Sequence, residues 1–504
     1  MTKLDLPIGI SSFKDIIQGN FVYVDKTKWI YKLVKPAKHY AFLSRPRRFG
    51  KSLTISTLYE LFTGNRELFK GTYIYDKWDF KKHIVLRLDM TKISPELKDI
   101  ERSLNFYLDL LFKEFNISTV DAPIGDKFNY LINELSKLGE LVILVDEYDA
   151  PLLANVNKPE LPKIREIMSN FYVQLKNNQE AIKFIFMTGI SRFSKVSIFS
   201  KLNNLDDLTL DSSYNEFLGY TEDEIKIFFR DYIEEVKKEL NLTEEQFWEK
   251  LREWYDGYSW NGKGRVYNPY SILNFFSKKE FLNFWYESGS PSWLVNWVKT
   301  HGIEELGNLS CSKNEIFATE IEDSSLPVFL WQTGYLTIIK VDERFYYFDF
   351  PNREVKESFS ELLITRVANF KPYFKEWYDN IVYAYENDKW QEFVHQINQV
   401  IAHFTYEQLK TFNREAHWHA LLYLILASAF GNVVAEELSA RGRADLIIKH
   451  KNKTLVIEIK INKSAKEAIE QIKVQGYAEK YRNAVLMGLR IDPKQRKIVE
   501  WVVE

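Results

Sequence analysis

The chain has 504 residues, enough for about three domains of roughly 150 residues each. Its 45% hydrophobic, 27% charged and 15% aromatic content excludes disordered and fibrous classes. Lys and Arg number 68 against 70 Asp and Glu, a formal charge of −2, so any basic field for nucleic acid must be confined to one region. The single cysteine, Cys311, allows neither an internal disulfide nor a Cys-based zinc site, which suits a reducing compartment. The opening stretch MTKLDLPIGISSF has no apolar core behind a basic start. The longest apolar run, Ala420 to Ala427, is too short to span a bilayer. A cytoplasmic protein with no membrane partner is expected.

In chain order, the first 210 or so residues alternate β-rich apolar runs (Tyr40–Leu43, Ile84–Leu88, Leu141–Val145, Phe184–Met187) with helical stretches such as Leu161–Leu175. That alternation belongs to a parallel sheet covered by helices. From Thr221 the pattern turns helical. Thr221/Glu224 and Thr243/Gln246 fit capping boxes that open helices over 222–239 and 243–255. The Gly-, Asn- and aromatic-rich stretch Trp254–Asn268 predicts an ordered turn or small hairpin. Helical and short β elements continue to about Phe350. The last segment reads helix (415–430), strands (433–438, 444–450, 454–461), helix (464–481), strand (484–489) and a terminal strand near 498–503.

The first chemical constellation is Ser44-Arg-Pro-Arg-Arg-Phe-Gly-Lys-Ser52, between an apolar strand and a helix beginning near Lys51. Gly50-Lys51-Ser52 matches the end of a phosphate loop, in which backbone N–H groups and a helix N-terminus hold phosphates, Lys reaches the β/γ-phosphates and Ser takes Mg²⁺. Arg48, Phe49, Gly50, Lys51, Ser52 and Leu53 are therefore candidate nucleotide contacts. The opening glycine of the general pattern is Arg45, a side chain able to occupy phosphate space. Ninety residues on, the apolar strand Leu141–Val145 ends in Asp146-Glu-Tyr-Asp149. Asp146 at a strand's C-terminal edge can join Ser52 around Mg²⁺, and Glu147 can polarise an attacking water. Thr188, ending another apolar strand, either contacts a γ-phosphate or water or satisfies a turn. Arg192 either stabilises transferred charge or is a plain surface arginine.

The second constellation is Gly442-Arg-Ala-Asp445 with Val456-Ile-Glu458-Ile-Lys460. A two-residue turn at Lys451-Asn452 sets Asp445 opposite Glu458, and strand alternation puts Glu458 and Lys460 on one face. Two carboxylates there suit Mg²⁺ completed by waters. Lys460 can orient or deprotonate water, or balance developing charge. Glu458 and Lys460 lie among Val456, Ile457, Ile459 and Ile461, and charge in so apolar a strand calls for a reason. Glu415, at the start of the preceding helix, can reach the same metal, and Gln471 a phosphate or water. Each also has an ordinary reading, as a helix-start carboxylate and an exposed glutamine. His417 and His419, two apart on a helix, diverge and make a His-based metal site a poor fit. Residues 431–504 hold 15 basic and 10 acidic residues, a net +5 that leaves −7 elsewhere, so a basic C-terminal region for a phosphodiester is compatible with the overall charge.

Leu6-Pro-Ile-Gly-Ile-Ser-Ser-Phe13, Tyr23-Val-Asp-Lys-Thr27, Arg45-Pro-Arg-Arg-Phe-Gly-Lys-Ser52, Val145-Asp-Glu-Tyr-Asp149, Thr188-Gly-Ile-Ser-Arg-Phe-Ser194 and Trp254-Tyr-Asp-Gly-Tyr258 together resemble the AAA-ATPase-like family found mostly in bacteria. The C-terminal part resembles the PD-(D/E)XK nuclease domain commonly fused to it, with Ala444 where that motif has proline. The resemblance covers nearly the whole chain. It implies an α/β protein in three parts: a P-loop (ASCE/AAA-type) parallel-sheet ATPase over 1–212, a helical connector over 213–350, and an α-β-β-β-α-β restriction-endonuclease-like domain over 351–504 with its core at about 413–492. It also implies Lys51 and Ser52 on nucleotide and Mg²⁺, Asp146 and Glu147 as metal and water carboxylates, and Asp445, Glu458 and Lys460 as the nuclease core.

The expectation is an ATP-binding and ATP-hydrolysing protein coupled to a Mg²⁺-dependent nuclease, with Mn²⁺ able to substitute. Its partner would be nucleic acid, DNA ahead of RNA. A homo-oligomer is compatible with this, and the family's company suggests defence against phage or mobile elements. The alternative is a nucleotide-gated switch that binds nucleic acid or protein through an inactive nuclease-like domain.

Overall fold

The computed structural model describes residues 3–156, 158–192, 204–287, 295, 309–318, 324–405, 409, 412–439, 442–479, 481 and 484–504. They fall into two compact units, Met1–Phe284 with Ser310–Pro351, and Trp285–Leu309 with Asn352–Glu504.

The first unit is built on a five-stranded sheet. Its strands are β1 (His39–Ser44), β2 (Ile84–Asp89), β3 (Leu141–Asp146), β4 (Ile182–Gly189) and the two-residue β5 (Asp206–Asp207), in the order β2-β3-β4-β1-β5, all parallel. β4 thus stands between β1, which leads into the phosphate loop, and β3, which ends in Asp146. β3 is buried at every residue, because helices cover both faces of such a sheet and its strands need no polar side. The helix Lys51–Phe62 packs against β2, β3 and β4.

Both anticipated capping boxes are present, at Thr221/Glu224 and Thr243/Gln246. The single helix expected over 222–239 is two, Glu222–Phe228 and Arg230–Glu239. At the break the buried Phe229 leaves helical geometry (φ −116°) and seats its ring 5.1 Å from Phe276 and 5.6 Å from Tyr220, so packing overrides local propensity. The stretch Trp254–Asn268 closes as a small hairpin through an antiparallel bridge between Tyr258 and Val266. The unit also holds a three-stranded antiparallel sheet of β6 (Ser310–Ser312), β8 (Phe345–Asp349) and β7 (Thr337–Val341), in that order.

In the second unit the helix Glu415–Phe430 precedes a mixed five-stranded sheet, β13 (Lys497–Val503), β12 (Val485–Asp492), β11 (Lys453–Lys460), β10 (Gly442–His450) and β9 (Val433–Ser439), with β11 and β12 parallel and the other pairs antiparallel. The helix expected over 464–481 starts with a Ser464/Glu467 capping box and stops at Gln475. Gly476 takes φ 64°, and its N–H closes on the carbonyls of Ile472 and Lys473, the usual way a glycine ends a helix. No helix among the described residues is long and apolar enough to cross a membrane.

Candidate functional site

The phosphate loop leaves β1 at Ser44 and enters the helix Lys51–Phe62 through Gly50. Gly50 is left-handed (φ 91°), and a Cβ there would meet nothing within 4 Å. That leaves open space over the first turn, where free N–H groups favour an anion. Arg48 is also left-handed (φ 71°). Lys51 is buried. Its Nζ donates to the carbonyls of Arg45 and Pro46 at 3.1 Å each and lies 3.4 Å from Glu147 Oε1.

Arg45 does not fill the loop. Its guanidinium is buried, donates to the carbonyls of Ser44 and Thr209 at 2.9 Å and of Tyr214 at 3.3 Å, and stacks 4.3 Å from the Trp260 ring. Burial pushes it down to about 9, opposed by the charge of Asp207. Phe49 is buried edge-on to Tyr258 at 4.8 Å and to Trp260 at 5.4 Å, and Arg48 lies 4.7 Å from the Tyr270 ring. The Arg-Pro-Arg-Arg-Phe run therefore anchors the loop to the hairpin and helix start at 258–270.

At the end of β3, Asp146 is buried with Oδ1 unpartnered. Burial raises its carboxyl above the ordinary range, the Ser52 hydroxyl pulls it down and the Glu147 charge pushes it up. Glu147 is left-handed (φ 48°). Asp149, fully buried, ties the ends of β3 and β4 together. Its Oδ2 accepts from the N–H of Ile190 (3.0 Å) and Ser191 (2.7 Å) and from the Ser191 hydroxyl (2.5 Å), while Tyr148 donates its N–H to Thr188 O and its hydroxyl to Ser191 O. The Thr188 hydroxyl donates to Leu43 O at 2.7 Å, bridging β4 to β1. Arg192 is half-buried and engaged rather than a plain surface arginine. Its Nε pairs with Asp207 at 2.5 Å, and a terminal nitrogen donates to Ile316 O at 3.1 Å. Lys51, Ser52, Asp146 and Glu147 are brought together, whereas Thr188 and Arg192 are engaged in holding strands and turns.

The second constellation sits where β10 meets β11. The turn is Lys451-Asn452, with Lys451 at φ 51°, and the pairing runs from His450↔Lys453 to Leu446↔Ile457. Continuing that register by one step sets Asp445 opposite Glu458, whose carboxyl feels the Asp445 charge. Asp445 Oδ2 accepts the Ile459 N–H at 2.7 Å. Glu458 is 1% exposed; one oxygen accepts from Lys460 Nζ at 2.9 Å, and Oε2 has no partner. Burial and the neighbouring Asp445 charge push Glu458 up to about 7, and burial likewise raises Asp445. Burial, the largest single influence, works to lower Lys460, but the hydrogen bond and charge of Glu458 together with the charges of Glu415 and Asp445 raise it.

Glu415 accepts the Ile461 N–H at 3.3 Å and stands 3.9 Å from Lys460. Gln471 donates to the Tyr477 hydroxyl at 3.5 Å. His417 and His419 diverge: His417 lies against Phe412, 5.3 Å between rings, while His419 Nε2 bonds the Asp445 carbonyl. The spacing that places His419 at the site is its four-residue distance from Glu415.

Among the described residues no group of three or more His, Cys, Asp or Glu side chains is placed to hold a metal by protein ligands alone. Mg²⁺ keeps several waters and is bound through one or two carboxylates. The orphaned, buried oxygens of Glu458 and Asp146 each offer such a donor, in surroundings where an unpaired carboxylate is costly.

Residues 7–199 match a family described as predicted AAA-ATPase, and residues 413–501 match the PD-(D/E)XK nuclease superfamily. The chain belongs to the family of proteins that join an AAA-ATPase-like domain to a PD-(D/E)XK nuclease superfamily domain. It is similar, at 33% identity over 526 aligned residues, to an uncharacterized protein in the vnfD 5' region of Azotobacter chroococcum mcd 1, with 100% of this chain and 99% of that protein covered.

Proposed function

We propose that the protein is a nucleotide-dependent nuclease. ATP binds with Mg²⁺ at the phosphate loop and is hydrolysed there. Phosphodiester bonds of nucleic acid, DNA first, are cut at Asp445, Glu458 and Lys460. The observation that carries this reading is Glu458, a carboxylate 1% exposed in an apolar strand, opposite Asp445, with one oxygen unpartnered. Leaving such a group unsatisfied costs stability unless a ligand completes it. Mg²⁺ or Mn²⁺ between the two carboxylates would supply an activated water and neutralise developing charge. Lys460, 2.9 Å from Glu458, keeps one carboxylate oxygen fixed and adds positive charge beside the phosphate. On the ATPase side, Lys51 would supply the cation for the phosphates, Ser52 and Asp146 would hold the divalent ion, and Glu147, 3.4 Å from Lys51, is the group to polarise water. Domain limits at 212 and 350, a cytoplasmic location, assembly into a homo-oligomer and a role in defence against phage or mobile DNA belong to this reading and rest on sequence pattern and family resemblance.

The test is incubation of the full chain with labelled DNA and RNA, with and without ATP and Mn²⁺, beside Glu458→Ala. Metal-dependent cleavage should fall by about 10³-fold in the variant, the loss of several kcal/mol of transition-state stabilisation, with nucleotide binding intact. Equal cleavage by the two proteins sinks the nuclease assignment.

A further inference from the structure

Two side chains of the helix Glu415–Phe430 bond backbone at or next to the carboxylate hairpin. Glu415 and His419 are four residues apart and so share a face. Glu415 accepts the N–H of Ile461, just past the end of β11. His419 Nε2 bonds the carbonyl of Asp445, in β10. A carbonyl only accepts, so Nε2 is the donor and the ring's hydrogen bond fixes its tautomer and orientation. Among the described residues the β10–β11 pairing ends at Leu446↔Ile457, so His419 grips the strand one residue beyond, at the position that bears the carboxylate. Asp445 is thereby held from both sides, its carboxylate by the Ile459 N–H at 2.7 Å and its carbonyl by His419.

We propose that His419 is a positioning residue for the nuclease-like site: it fixes the backbone of Asp445 so that the Asp445 carboxylate stays opposite Glu458, ready to share a divalent cation. This rests on reading Asp445 and Glu458 as a metal site. Groups that orient a metal's ligands set its affinity, and their loss costs about 10–100-fold.

The test measures Mn²⁺ binding to the full chain by calorimetry, without nucleic acid or nucleotide, in wild type, His419→Gln, His419→Asn and Glu458→Ala. The glutamine amide nitrogen reaches the place of Nε2, and the asparagine amide is one bond too short. Glu458→Ala gives the background from the rest of the chain. Expected is Mn²⁺ affinity weakened about 10–100-fold in His419→Asn and retained within about threefold in His419→Gln, with matching thermal unfolding of the two. Wild-type affinity in His419→Asn, or equal weakening in both variants, overturns the positioning role while leaving the metal site standing. Binding by wild type no stronger than by Glu458→Ala overturns the metal-site reading itself, and this inference with it.

Discussion

The phosphate loop and the carboxylate hairpin use the same materials, a buried strand end with carboxylates and a lysine, to different effect. At the loop, Lys51 and the open first turn of the helix Lys51–Phe62 add positive potential, and the carbonyls of Arg45 and Pro46 steady the ammonium without neutralising it. Glu147 lies 3.4 Å from that ammonium and Asp146 keeps an orphaned oxygen, so the loop pairs an open seat for an anion with a donor for a cation. At the hairpin the nearby helix end brings a further carboxylate, Glu415, 3.9 Å from Lys460, while Lys460 satisfies one oxygen of Glu458 and leaves the other orphaned. That arrangement is short of a cation. Residue type alone therefore does not determine what a site takes up; the backbone that delivers the side chains shares in deciding it.

The largest expected effect on nucleotide binding separates the two sites. Lys51→Ala should weaken ATP binding by about 10²-fold, roughly the 3 kcal/mol lost when a buried charge partner is removed, and leave Mn²⁺ binding at the hairpin unchanged. Parallel calorimetry with both ligands checks this, and coupled losses would break the distinction.

The next contrast is in pH. Burial, then the charge of Glu147, pushes Asp149 up to about 6 from an ordinary 3.8. Its folded value lies above its unfolded one, so its contribution is complete below about pH 3.8 and is lost as pH rises through about 6. The swing is at most about 3 kcal/mol. Thermal unfolding of Asp149→Asn between pH 4 and 7.5 should show a flatter decline than wild type, and an unchanged slope would remove Asp149 from the account.

The smallest effect is backbone strain. Gly50→Ala meets no atom within 4 Å but must hold φ 91°, so stability should drop by about 1–2 kcal/mol. A chemical-denaturation midpoint measures it, and no shift would mean that the loop relaxes.

Much of this was legible in local pattern. The hairpin register followed from the two-residue turn at Lys451-Asn452 and the two-residue alternation of strands, both short-range rules. The capping boxes at Thr221 and Thr243 marked helix starts for the same reason. What escaped depends on distant or directional contacts. Phe229 breaks a helix because of Phe276 and Tyr220, not because of its neighbours in sequence. Arg45, which looked able to crowd the phosphates, is drawn away by Trp260 and the carbonyls of Thr209 and Tyr214. Arg192 is taken by Asp207 and Ile316, and Asp149 acts as a tie between β3 and β4. Gly476 was a readable stop signal that the expected helix ran past.

The aromatic anchoring of the phosphate loop also sets a timetable. Phe49 and Arg45 leave the ribosome early, but Tyr258, Trp260 and Tyr270, against which they and Arg48 pack, follow only after roughly 200 more residues, on the order of 10–40 s at about 5–20 residues per second. β4, the strand beside β1, is complete only at Gly189, so it is over the last part of that interval, from Gly189 to Tyr258, that the nascent loop has its neighbouring strands but not its anchor. It acquires its final shape late in synthesis, from a segment that lies beyond the sheet in the chain.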